Sequence, residues 1–401
     1  MTVFLMATLD TKGLEAQFVR DILEAAEVEV TLVDTGCLGH PQVAADITRE
    51  AVFAAAGTSI EAVRAKADRG FAVSTAAQGA TAIVLQAHQA GDLQGVFGLG
   101  GSAGTSIGTA AMRCLPVGIP KLMVSTLAAG DVRAFVGVRD ILMMNSIVDI
   151  AGLNRISRTV LREAATAMVG MAKSSALVSS NEDKPIVAAT MFGVTTPCVE
   201  QAREVLETAG YEVLVFHATG TGGQAMEGLI DDGMIAGVLD ITTTEIADEV
   251  VGGVLSAGPQ RLTAAANRGV PQVVSVGATD MVNFWAMSTV PAEFQQRQLY
   301  KHNENVTLMR TTSTECRQIG EAIAKKLNTA LGPVRILLPL RGVSAIDGEG
   351  EPFNDPTARS ELFEAIRLGV DGPEIVEFDQ HINDERFAIA AAEALIELMT
   401  Q

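Results

Sequence analysis

The chain has 401 residues, 48% hydrophobic and 19% charged, with a mean hydropathy of +0.28, so extended disorder is excluded and about two domains are expected. With 48 acidic against 29 basic residues the net charge is −19, which argues against nucleic acid or an anionic membrane as the main partner. Aromatic residues are only 4%, and Cys37, Cys114, Cys198 and Cys316 form no CxxC pair, so base-stacking platforms, a zinc site and a disulfide framework all lack support.

The N-terminus has no basic stretch and reaches a charge at Asp10, too early for a signal peptide, so a cytoplasmic protein is expected. Residues 2–8 read as a buried strand, 12–26 as a helix with Leu14, Phe18 and Ile22 on one face, and 28–34 as a second strand. Residues 59–90 are Ala-rich and suggest two helices. Strands are expected at 94–99 and 120–125, with a weaker one at 133–138, and helices at 102–112 and 146–172. The polar stretch 174–185 ends in Pro185 and reads as a linker, which places a boundary between 178 and 179.

The alternation then restarts, with strands expected at 186–191, 212–217, 235–239, 271–276, 306–309, 334–339 and 373–378. The first helix of this half is punctuated by Thr196, Pro197 and, just past its end, Gly210. The pattern predicts an α/β protein of two Rossmann-like, doubly wound domains with mainly parallel sheets, residues 1–178 and 179–401. Charge divides with it: residues 1–180 carry 14 basic and 16 acidic side chains, and residues 181–401 the remaining 15 and 32.

Chemistry is sought first in Gly98-Leu99-Gly100-Gly101-Ser102-Ala103-Gly104-Thr105-Ser106, which follows an apolar strand and opens a helix. Backbone amides at such a helix start favour an anion, and Gly100, Gly101, Ser102, Gly104 and Thr105 are candidate ligand contacts; the competing reading is tight helix–strand packing. At the end of the first strand, Thr8, Asp10, Thr11 and Lys12 are further candidates, with Lys12 the local cation and Asp10 or Thr11 open to a capping role. Asp34 ends the second strand, where dinucleotide folds place a ribose-binding acid, although it equally starts a turn.

A second glycine-rich turn, Gly220-Thr221-Gly222-Gly223, follows His217 and admits the same anion argument. Thr242-x-x-Glu245 and Thr312-x-x-Glu315 read as capping boxes. Asp280, Asn283, His302 and Arg341 have no such structural excuse. They suggest catalysis with His302 as acid or base and Asp280 as its partner or a metal ligand, with Asn283 and Arg341 binding substrate.

Together, residues 7–13, 98–105, 216–223 and 240–245 carry a resemblance that runs over essentially the whole chain. The sequence resembles a largely uncharacterised bacterial family similar to the N-terminal inhibitory region of the tomato mosaic virus resistance protein. The resemblance implies two Rossmann-like domains, ATP binding and dimerisation. It also implies a separate partner protein wherever an activity needs the plant protein's further C-terminal module.

The leading expectation is a cytoplasmic homodimer that binds ATP, with Mg2+, or a related phosphorylated small molecule at the first-half loops, beside an interdomain cleft. The alternatives are an enzyme of small-molecule catabolism with catalytic groups in the C-terminal domain, and a non-catalytic nucleotide-gated regulator.

Overall fold

The computed structural model describes residues 2–174 and 184–401, and the chain divides into two compact units, Met1–Asn181 and Glu182–Gln401. Most of the expected linker, and the boundary at 178/179, lie outside the described residues.

Unit 1 runs β1(Thr2–Ala7), α1(Leu9–Ala25), β2(Val30–Asp34), α2(Arg49–Ala55), α3(Ile60–Ala65), α4(Arg69–Gln89), β3(Leu93–Gly100), α5(Ser102–Arg113), β4(Lys121–Ser125), α6(Arg133–Val136), β5(Leu142–Asn145) and α7(Arg155–Ser174). Its five strands are parallel in the order β2-β1-β3-β4-β5. Alternation along β1 explains the layering: Val3, Leu5 and Ala7 pack with α1 and α7, while Phe4 and Met6 pack with the α2–α5 side. Because the chain winds outward from β1 in both directions, the winding reverses between β1 and β3, and their carboxyl ends form a crevice there.

Unit 2 runs β6(Ile186–Met191), α8(Thr196–Thr208), β7(Glu212–His217), α9(Thr221–Asp231), β8(Gly237–Thr242), α10(Thr244–Val251), α11(Ala264–Arg268), β9(Gln272–Gly277), β10(Met281–Phe284), β11(Leu299–Lys301), β12(Thr307–Arg310), α12(Ser313–Leu327), β13(Val334–Pro339), α13(Pro356–Gly369), β14(Glu374–Phe378) and α14(Glu385–Thr400). Six parallel strands take the order β14-β13-β9-β8-β6-β7, the same winding as unit 1 with one strand more. A separate antiparallel sheet, β10-β12-β11, interrupts the alternation between β9 and α12.

Several elements depart from the sequence pattern. Residues 133–136 form a helical turn rather than a strand, started by Asp131, which accepts the Arg133 amide, and ended by Gly137 at φ +56°. The last helix of unit 1 begins only at Arg155, because Asn154 accepts the amides of Ile156 and Ser157 and Gly152 sits at φ +92°. The strand expected at 306–309 belongs to the antiparallel sheet, whose partners at 281–284 and 299–301 are too short to show a clear period.

Candidate functional site

The first unit holds a cavity of about 400 Å³ at the carboxyl ends of β1 and β2, lined by Thr8, Asp10 and Thr11, by residues 35–38, by Arg64, Asp68 and Arg69 from the α3–α4 turn, and by Ala103 of α5. That volume falls within the ~300–1,000 Å³ usual for small-molecule sites. Val63, Ala72, Val73, Ala76 and Ile107 make one wall apolar.

Three helices begin at or beside this cavity, and their starts differ. At α1 the Leu9 amide donates to Asp34 Oδ1 at 3.0 Å, and at α4 the Phe71 amide donates to Asp68 Oδ1 at 3.0 Å. At α5 no side chain caps the first turn, and the amides of Ser102, Ala103 and Gly104 have no acceptor among the described residues. A helix start with free amides carries partial positive charge, so α5 is the one of the three prepared for an external anion.

The glycines before α5 divide into two roles. A Cβ on Gly100 would stand 2.9 Å from the Gly104 Cα, and one on Gly104 would stand 3.1 Å from the Leu99 carbonyl oxygen, so both serve close helix–strand packing. At Gly101 the nearest obstacle is Thr126 Oγ1 at 3.8 Å, which leaves room for a ligand atom. Thr105 is spent on structure, donating to Gly101 O at 2.8 Å and meeting Ser125 Oγ at 2.7 Å. Ser102 remains in the half-buried first turn, with its carbonyl accepting from Ser106 Oγ.

The other first-half candidates are partly engaged. Thr8 and Thr11 meet through their hydroxyls at 2.9 Å. Asp10 Oδ2 accepts the amides of Leu38 at 2.9 Å and Gly39 at 3.2 Å, clamping the cavity's floor rather than capping α1. Asp34 is buried, with Oδ1 accepting the amides of Leu9 and Gly36 and Oδ2 accepting from Arg49 Nε at 2.7 Å, and it does not line the cavity. Lys12 is half-buried in a non-helical kink of α1 and does not line the cavity. The cations that do are Arg64, whose guanidinium donates to Cys37 O and Leu38 O, and Arg69. Sequence reasoning missed both, since the Ala-rich helices hid the turn at Ala67-Asp68 that swings them inward.

In unit 2 the second glycine-rich turn already holds an anion, and it is internal. Glu245 Oε1 accepts the amides of Gly220 at 2.7 Å and Gly223 at 3.1 Å, so Glu245 is no capping-box partner of Thr242. A Cβ on Gly223 would fall 2.2 Å from Glu245 Oε2, and one on Gly222 would fall 1.8 Å from the His217 carbonyl oxygen. Gly220, at φ +84°, turns the chain, and Thr221 is exposed. Gly223→Ala is therefore expected to cost on the order of 3 kcal/mol by pushing the carboxylate off its two amides, read as a lower midpoint in urea unfolding.

Glu245 is one corner of a buried network around Arg261, which is fully buried. Arg261 reaches Glu245 Oε2 at 2.6 Å, both oxygens of Asp240 at 2.5 and 2.7 Å, and Glu227 Oε1 at 3.3 Å. Burial opposes the Arg261 charge, but Asp240, Glu245 and Glu227 more than offset this and hold it protonated.

The expected catalytic pair is not assembled. His302 is exposed beyond the end of β11, next to the Lys301–Thr307 pairing, whereas Asp280 sits before the Met281–Arg310 pairing, on the order of 10 Å away along the strands. Asn283 is buried and donates to Asp248 Oδ1 and Thr244 Oγ1, and Arg341 is exposed in a bidentate pair with Asp379. Among the described residues no group of three or more His, Cys, Asp or Glu side chains could hold a metal ion, and no helix is long and apolar enough to cross a membrane.

Known proteins match this two-unit chain along its length. Residues 1–177 match the N-terminal domain, and residues 184–399 the C-terminal domain, of an uncharacterised protein family, UPF0261. The chain belongs to this family. A UPF0261 protein of Clostridium tetani is 51% identical over 399 residues, covering 99% of this chain and 98% of its own length, and one of Rhizobium meliloti is 51% identical over 395 residues, covering 98% of both. The tomato ToMV resistance protein Tm-1(GCR237) is 45% identical over 337 residues, 82% of this chain and 45% of the plant protein. UPF0261 membership thus joins the bacterial chains to part of a plant protein named for virus resistance.

Proposed function

We propose that unit 1 binds a nucleotide, ATP with Mg2+ in the first instance, or another phosphorylated small molecule, in the cavity between the carboxyl ends of β1 and β2 and the start of α5. The observation that carries this reading is the start of α5, with three first-turn amides unbonded among the described residues, beside a cavity where Asp34 takes the Leu9 amide of α1 and Asp68 caps α4. In this reading a phosphate lies against the amides of Ser102, Ala103 and Gly104, Arg69 faces the anion, and the apolar wall takes the base. The bound triphosphate itself supplies most ligands to the magnesium ion.

The reading is that of a binding protein rather than a catalyst, because Asp280 and His302 do not meet. It extends to a homodimer through unit 1, whose near-neutral charge carries less self-repulsion than the acidic half. Calorimetric titration with ATP and magnesium, with nucleotide analysis of the same sample, is expected to show saturable binding without turnover, and light scattering to give twice the chain mass. Absence of binding at millimolar nucleotide removes the proposal, and rapid hydrolysis removes its non-catalytic part.

A further inference from the structure

The antiparallel sheet β10-β12-β11 is an excursion of residues 278–312 out of the parallel alternation, and both of its ends meet at one residue, Asp280. On entry, Ala278 is buried at φ +57°, a strained conformation for a residue with a Cβ, and Asp280 follows two positions later. On exit, the Thr311 amide and Arg310 Nη1 both donate to the Asp280 carbonyl oxygen, at 3.0 and 3.2 Å. Asp280 is therefore the root at which the excursion leaves and returns.

Its carboxyl group is buried and half-satisfied. Oδ2 accepts from Ser344 Oγ at 2.8 Å, while Oδ1 has no partner among the described residues. The groups facing this root are Ser344 and Asp347 from the loop after β13, Arg310 at the end of β12 and Thr311 just after it, and Cys316 from α12. Arg359 of α13 binds Asp347 at 3.0 Å, and His381 Nε2 meets the Ser344 carbonyl oxygen at 2.9 Å. Arg310 and Arg359 both bond Asp347, and among the described residues no guanidinium bonds the Asp280 carboxyl, although the Arg310 charge pulls against its rise.

We propose that the antiparallel sheet is a proton-controlled flap, seated when the Asp280 carboxyl carries a proton and loosened when it gives that proton up. Burial first, then the neighbouring Asp347 carboxyl, push Asp280 up to about 7 against the opposing pull of Arg310 and Ser344, and burial raises Asp347 as well. A folded-state value above the ordinary carboxylate range contributes stability at low pH that is lost as pH rises toward 7. A second buried carboxyl acts in the same direction on the same strand: Asp248 accepts the Asn283 amide and side chain of β10 and is pushed up to about 7 by burial, with Glu245 adding to it. Trp285, the single tryptophan, follows β10 and is half-exposed, so it reports on the seating.

The test is hydrogen exchange on the full chain at pH 6 and pH 8, corrected for intrinsic rates, in the wild type and Asp280→Asn. Protection of Met281–Phe284 and Thr307–Arg310 is expected to fall about tenfold or more from pH 6 to pH 8 relative to β6 and β8, and by at most half as much on a logarithmic scale in Asp280→Asn. The same pH profile in both proteins overturns the proposal, as does a fall shared equally by β6 and β8. Should the variant exchange too fast to measure, Trp285 emission decides: a step between pH 6 and 8 in the wild type that is clearly smaller in the variant supports the flap, and a step of equal size in both or in neither overturns it.

Discussion

Replacing Arg261 with alanine is expected to be the most damaging single change in unit 2, costing about 3–5 kcal/mol. Among the described residues the buried guanidinium is the group that ion-pairs directly with Asp240, Glu245 and Glu227. Its loss leaves three carboxylates in a medium that solvates them poorly, and each also anchors backbone. Glu245 holds the start of α9, and Glu227 accepts the amides of Leu262, Thr263 and Ala264 at the start of α11. The damage should be local to residues 184–401. Urea unfolding followed by hydrogen exchange checks this: normal protection in unit 2 of the variant would mean that the network contributes little.

The second large effect concerns Gly101. Its backbone, at φ −80° and ψ −156°, is open to any residue, and the position is the N-cap of a helix that has no cap. Gly101→Asp places a carboxylate on the amides that the proposed phosphate would use. Affinity for nucleotide is expected to drop at least about tenfold, while stability without ligand stays level or rises by a few tenths of a kcal/mol. Loss of binding with gain of stability separates a ligand role from a structural one. Unchanged affinity, measured by calorimetry, would move the ligand elsewhere in the cavity.

How far the sequence revealed all this depends on the range of the interactions involved. The parallel strands other than β5 were legible because each is a short apolar run closed by a polar turn, whereas the fifth strand of unit 1, expected at 133–138, lies at Leu142–Asn145. The start of α5 was legible too, as a glycine-rich run between strand and helix. What composition cannot show is which amides are already taken. The turns at 100–104 and 220–223 look alike in sequence, yet the second is filled by Glu245, more than twenty residues away, and the apparent capping box at Thr242 hid that partner. Asp34 escaped for the same reason, since Arg49 lies fifteen residues on. Asp280 and His302 were grouped because both sit near polar strand ends, and only the antiparallel register, carried by two very short strands, separates them.

The internal carboxylate of the second unit has a thermodynamic consequence. The two units share one winding, but the helix after the second strand-end glycine turn carries a covalently attached anion at an effective concentration that no dilution can lower, whereas the anion proposed for α5 would come from solution. Unit 1 should therefore gain stability with the logarithm of ligand concentration, and unit 2 should not respond to that ligand. In a calorimetric scan the melting of one half would climb with added ligand past a fixed transition of the other, so that the order in which the halves unfold becomes a readout of how much ligand the protein has met.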